Sequence, residues 1–222
     1  MATEIGKPFI AMELLEGHSL DQERRGNPLP VDRLLDIGIQ LSDGLDAAHR
    51  KGIVHRDIKP VNLFVNSLSH LKILDFGLAK LASVGLTAAE NLTSPGTAIG
   101  TVAYMSPEQA RGDEIDARSD IFSAGSVLYE LSSGCLPFPG KTSAVVFDAI
   151  LNREPLPALS INPSLPEELQ RIIDKCLEKD RDVRYQSAAE LRPEWSKSPS
   201  AHFRQRGSVF SLLRGWRLAA LF

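Results

Sequence analysis

At roughly 150 residues per domain, a chain of 222 residues holds one domain with some chain to spare. Its composition, 43% apolar and 24% charged, is that of an ordinary globular protein and excludes collagen-like, coiled-coil and wholly disordered chains. The net charge of −3 gives no electrostatic basis for binding nucleic acid, no apolar run reaches the roughly 18 residues of a transmembrane segment, and two cysteines cannot build a disulfide framework or a cysteine-rich zinc site.

Taken in chain order, the first seven residues lack the basic-then-apolar layout of a signal peptide. Residues 8–15 read as a short buried strand stopped by Glu16-Gly17. Pro28 and Pro30 open a helical pattern in which Val31, Leu34, Leu35, Gly38, Leu41, Leu45 and Ala48 recur at three- and four-residue spacing until Gly52. Residues 62–65 and 71–74 predict the two strands of a hairpin joined by a polar link. Residues 82–105 are rich in Ala, Ser, Thr and Gly with weak periodicity, the mark of a functional or disordered loop.

After Asp116, Ile121, Phe122, Gly125, Leu128, Tyr129 and Ser132 mark another helix, closed by Gly134. Ser164-x-x-Glu167 predicts a capping box ahead of Leu169, Ile172, Ile173, Cys176 and Leu177, and residues 185–192 predict a shorter helical piece. The fold class is therefore mainly α with a small β component. Cys135 and Cys176 are expected to be buried thiols in a reducing, cytoplasmic setting.

The composition shifts at Pro193. Beyond it lie Lys197, Arg204, Arg206, Arg214 and Arg217 against Glu194 alone, together with both tryptophans, Trp195 and Trp216. Proline cannot donate a helical hydrogen bond and disfavours helix at Arg192. The expectation is a domain over residues 1–192 and a basic, aromatic tail over 193–222 outside the core. Residues 207–222 could lie on a membrane as a basic amphipathic helix, or the tail could have no selected function.

Two motifs carry chemistry. In His55-Arg56-Asp57-Ile58-Lys59-Pro60-Val61-Asn62, a carboxylate, an ammonium and an amide share one turn. Asp57 can accept a hydroxyl proton, Lys59 can sit on phosphoryl oxygens, and Asn62 can hold a divalent metal through its carbonyl oxygen. Asp75-Phe76-Gly77 follows directly behind a predicted strand, where Asp75 can be a second metal ligand. Either motif alone could be a surface turn, but the two together, in order and separated by a hairpin, cannot be put down to coincidence.

The pair resembles the eukaryotic-type protein kinases, and Lys59-Pro60 resembles their serine/threonine branch. The likeness runs from about Pro8 to about Leu191, and implies a hinge strand followed by the C-terminal, large lobe of that fold. Gly100-Thr101-Val102-Ala103-Tyr104-Met105-Ser106-Pro107-Glu108 looks like the substrate-facing segment, with wording similar to that of bacterial members. The resemblance implies ATP-dependent phosphoryl transfer to Ser or Thr of a protein substrate, with ATP and Mg²⁺ as cofactors. It implies that Asp57 orients and deprotonates the hydroxyl, Lys59 neutralises the moving phosphoryl group and Thr101 holds both in place. Asn62 and Asp75 would bind Mg²⁺, while Met12, Glu13, Leu15 and Phe64 would line the adenine pocket. His55, Phe76 and Gly77 belong to the same motifs. Asp120 would hold the backbone of the His55-Arg56 turn, and Arg184 would pair with Glu108. Arg56 implies regulation by a phosphate on the loop, with Thr93 and Thr97 ahead of Thr87 and Ser94 as acceptors.

The 222 residues contain no G-x-G-x-x-G and no V-A-I-K, the phosphate-clamping parts of such enzymes. The expectation is a large lobe without its small lobe, inactive alone. The alternative is a non-catalytic kinase fragment that acts as a binding or regulatory module.

Overall fold

Pro30 fixes an extended residue ahead of Val31–His49, and the apolar stripe of that segment winds into the first long helix. The computed structural model describes residues 2–4, 7–9, 13–24, 26–76 and 102–197, with side chains for 13–24, 26–76 and 102–195. Its elements are β1 (Ala2–Glu4), β2 (Lys7–Phe9), β3 (Gly17–Ser19), α1 (Leu20–Arg24), α2 (Val31–His49), β4 (Leu63–Asn66), β5 (Leu71–Ile73), α3 (Pro107–Arg111), α4 (Ala117–Ser133), α5 (Ser143–Asn152), α6 (Ala158–Ile161), α7 (Glu167–Cys176) and α8 (Ala188–Lys197). A 3-10 turn, Pro60–Asn62, leads into β4.

The front of the chain differs from the single strand expected over 8–15. β1 and β2 pair antiparallel, Thr3 opposite Pro8, while residues 13–16 form no strand. The strand after them, β3, joins the expected hairpin as its third member in the order β3-β4-β5. Gly17 makes this possible, because a Cβ there would lie 2.0 Å from the Val65 carbonyl oxygen. Only a residue without a side chain lets the two backbones come so close.

α4 is the central helix. Asp116 caps its first turn through the Arg118 N–H, and every residue from Ser119 to Ser133 is buried. α2, α7 and α8 pack around it through one continuous apolar core. α5, capped by the Thr142 side chain, and the four-residue α6 were not anticipated from the sequence. The capping box expected at Ser164 does not form. Pro166 sits at the N-cap of α7 without a side-chain bond, and the Ser164 hydroxyl turns to Asn162 Oδ1 at 2.5 Å. Cys176 is buried as expected, but Cys135 is exposed.

The break expected at Pro193 is also corrected. α8 runs through Pro193 to Lys197, and Ala188, Leu191 and Trp195 form its buried stripe. Pro193 itself is exposed, so its ring points away from the core, and the one helical hydrogen bond it removes is offset by packing. Trp195 is 1% exposed and lies against Gly38 of α2. Residues 198–222, which hold the rest of the tail, are outside the described residues.

Candidate active site

The loop between α2 and β4 carries the first motif, and Asp120 of α4 organises it. Asp120 is 1% exposed. Its Oδ2 accepts from the His55 N–H and its Oδ1 from the Arg56 N–H, both at 2.8 Å. Oδ2 also accepts from His49 Nε2 at 2.8 Å, which ties the last turn of α2 to the same carboxylate. Burying a carboxylate among three donors is tolerable because its oxygens are satisfied. Arg56 has φ +72°, a left-handed conformation that costs a non-glycine residue about 1–2 kcal/mol.

The His55 ring is buried and bridges both motifs. Its Nε2 meets the Leu74 carbonyl at 2.7 Å, so Nε2 carries the proton, and Nδ1 accepts from the Asp57 N–H at 3.2 Å. The ring also meets Phe76 edge-on, with centroids 4.7 Å apart. The Leu74 N–H donates to the Asn62 carbonyl at 2.8 Å, so the chain entering Asp75 runs alongside Asn62. Asp75 follows with φ +62° and is exposed.

Asp57, Lys59 and Asn62 stand together. Asn62 Nδ2 donates to Asp57 Oδ2 at 3.1 Å and to the Asp57 carbonyl at 2.8 Å. Lys59 Nζ lies 2.9 Å from the same Oδ2. One carboxylate oxygen is thus held by an ammonium and an amide, while Oδ1 has no hydrogen bond among the described residues. Asn62 uses its NH₂ group on Asp57, and its Oδ1 has no hydrogen bond among the described residues.

Phe64 is half-buried on the face of the sheet opposite Leu63 and Val65, directly across from Lys72. Lys72 Nζ reaches the Glu13 carboxylate at 2.6 and 2.7 Å, which brings Glu13 to the Phe64 face. Leu15 is half-buried in the segment that leads into β3.

Glu108 and Arg184 form a buried bidentate pair at 2.7 and 2.9 Å. All five guanidinium N–H groups of Arg184 are used, the others on the carbonyls of Glu178, Arg118 and Lys179. Burial raises the Glu108 pKa, but hydrogen bonds from Arg184 and Ser119, with the Arg184 charge, outweigh it and bring the carboxyl down to about 2.

Met12, Gly77, Thr87, Thr93, Ser94, Thr97 and Thr101 lie outside the described residues. Two residues that the sequence reading did not single out touch the site. His49 is one; no periodicity marks it. The other is Gln109, whose Nε2 donates to the Arg56 carbonyl at 2.7 Å. Gln109 was findable, since Ser106-x-x-Gln109 is a capping-box pattern, and the box forms in both directions.

Comparison with known proteins bears out the family resemblance. The family model describing a protein kinase domain matches residues 2–196. The serine/threonine-protein kinase PknB of Mycobacterium leprae is 36% identical over 188 residues, covering 84% of this chain and 30% of that protein. A probable serine/threonine-protein kinase of Streptomyces coelicolor is 40% identical over 187 residues, 83% of this chain and 27% of that protein. Another from Clostridium perfringens is 38% identical over 184 residues, 82% of this chain and 26% of that protein. The chain thus spans less than a third of the length of these curated relatives.

Proposed function

The chain belongs to the protein kinase family, and from that premise we propose that it supplies the catalytic half of an enzyme that moves the γ-phosphoryl group of ATP onto a serine or threonine hydroxyl of a protein. The observation that carries this reading is the asymmetry of Asp57. Its Oδ2 is held by Asn62 and Lys59, and its Oδ1 is left to receive a proton. A substrate hydroxyl hydrogen-bonded to Oδ1 is oriented for attack and loses its proton to that oxygen as the new O–P bond forms. Lys59 Nζ, beside the same carboxylate, places positive charge where the transferred group passes.

Asn62 Oδ1 and the Asp75 carboxylate are hard oxygen donors of the kind Mg²⁺ accepts when phosphate oxygens and water complete its shell. They are the residues that would hold the ion, which when bound neutralises phosphate charge. Glu13, Leu15 and Phe64, with Met12, are the proposed adenine-side residues, and Thr101 the proposed support of Asp57 and Lys59. Arg56 has no ion pair among the described residues, and we assign it to receive a phosphate on Thr93 or Thr97. The reaction draws on intracellular ATP, so we place the domain in the cytoplasm. No helix among the described residues is long and apolar enough to cross a membrane.

The test joins the small lobe of a close relative ahead of Met1 and follows transfer of radiolabelled phosphate to a Ser/Thr protein. Asp57→Asn and Asp75→Ala should each abolish turnover. Turnover at the parent rate in either variant refutes the corresponding assignment. The 222 residues alone lack the phosphate clamp, and should give no measurable transfer and at most act as a binding module. A robust signal from them, lost in Asp57→Ala, would contradict that.

A further inference from the structure

The peptide group between Arg56 and Asp57 is clamped at both ends. Its N–H donates to His55 Nδ1 at 3.2 Å, and its carbonyl accepts from Gln109 Nε2 at 2.7 Å. The preceding N–H, that of Arg56, is taken by Asp120 Oδ1. Arg56 therefore keeps its left-handed backbone between a carboxylate that holds its N–H and an amide that holds its C=O. The tilt of the second peptide plane sets the direction of the Asp57 Cα–Cβ bond, and with it the position of Oδ1.

Gln109 reaches this peptide from α3. Its Oε1 accepts from the Ser106 N–H at 2.9 Å, while its own N–H donates to Ser106 Oγ at 3.3 Å. The side chain thus accepts at one end and donates at the other, which fixes the orientation of the amide. The bonds to Ser106 are local to α3. The bond to Arg56 joins the substrate-facing segment to the loop that carries Asp57.

We propose that Gln109 is a positioning residue for phosphoryl transfer, holding the Arg56–Asp57 peptide so that Asp57 faces the substrate hydroxyl. The inference rests on the reading of Asp57 as the group that receives the proton. A displacement of α3 then reaches the Arg56–Asp57 peptide through a single hydrogen bond. A carboxamide serves at every pH, because the position needs an acceptor for Ser106 and a donor for Arg56 at once.

Gln109→Glu separates the two roles. A carboxylate still accepts from the Ser106 N–H and completes the capping box, but it cannot donate to the Arg56 carbonyl until it is protonated. In the 222-residue chain at about pH 8, amide hydrogen exchange should show protection at Arg56 and Asp57 reduced roughly tenfold, the loss expected for one hydrogen bond. Protection across α4 and the urea midpoint should stay at parent values. Towards about pH 5, as the introduced carboxyl begins to take up its proton, protection should return towards that of the parent. His55, Arg56, Asp57, Lys59, Asp120 and Glu108 surround the link in parent and variant alike, so the parent at each pH is the reference. Gln109→Ala should lose protection at Arg56 and Asp57 at every pH.

Unchanged protection at these two amides in both variants overturns the proposal. So does a loss spread evenly over the chain, which marks plain destabilisation. Joined to a small lobe, Gln109→Glu should lower kcat with KM for ATP unchanged, and the deficit should shrink as pH falls. If Asp57→Asn leaves transfer intact, the reading of Asp57 fails, while the exchange result stands by itself.

Discussion

Replacing Gly38 by alanine should destabilise the protein, although alanine is the better helix former. An alanine in mid-helix gains about 1 kcal/mol over glycine. At Gly38, however, a Cβ would lie 2.7, 2.8 and 3.0 Å from three carbons of the Trp195 ring. Contacts that short force the indole or α8 to move, and overpacking of this kind costs about 1–3 kcal/mol. The net expectation is a loss of about 1 kcal/mol. Trp195→Ala should cost more. An indole buries on the order of 200 Å², worth about 5 kcal/mol at 25 cal/mol/Å². Its Nε1 is buried without a hydrogen-bond partner among the described residues, so its removal also relieves a penalty of about 1–3 kcal/mol. A loss of about 3 kcal/mol follows, a large part of a typical domain's stability. The pair then reverses sign: with Trp195 already alanine, Gly38→Ala meets no ring and should stabilise by up to about 1 kcal/mol. Urea unfolding of the four proteins, followed by far-UV circular dichroism, reads all three numbers. A Gly38→Ala protein more stable than the parent, or a Trp195→Ala protein equal to it, refutes the packing of α8 on α2 argued above.

Other expectations follow from the same packing. Ending the chain at Arg192 removes Trp195 and should lower the urea midpoint about as much as Trp195→Ala does; an unchanged midpoint would restore the boundary at Pro193. Glu108, held down to about 2 in the folded protein against 4.5 ordinarily, contributes stability that is fully present above 4.5 and lost as pH falls through 2. Glu108→Gln should flatten that acid limb, and Arg184→Ala, which leaves the carboxylate buried and unpaired, should cost about 3–5 kcal/mol near neutral pH. Burial brings Lys179 down to about 8, so the unfolded chain binds more protons between there and 10.5, and parent stability should gain from this group as pH rises across that window. Lys179→Met should remove that slope in urea titrations. Iodoacetamide at mildly alkaline pH should label exposed Cys135 and spare Cys176, whose thiol is buried and pushed up to about 12; native labelling of both would refute the burial of Cys176 under Gly125.

α2 and α4 were legible in the sequence because each writes its own pattern: an apolar stripe at helical spacing, a proline or aspartate before it and a glycine after it. The β4-β5 hairpin and the two motifs were legible for a similar reason, since the residues of each are neighbours along the chain. Local interactions set these elements, and local order is what a sequence displays directly. Tertiary structure decided the rest. Pro193 signals a helix end by every local rule, yet α8 passes through it because Trp195 finds the bare backbone of Gly38 more than 150 residues earlier in the chain. Ser164 and Glu167 spell a capping box that the chain does not use, while Ser106 and Gln109 spell one that it does, with Gln109 also reaching Arg56. The backbone around Arg56, which leads into Asp57, is likewise held from afar, by Asp120 and Gln109. Such contacts join residues whose separation in sequence carries no period, so only the folded chain, which brings them within hydrogen-bonding distance, determines them.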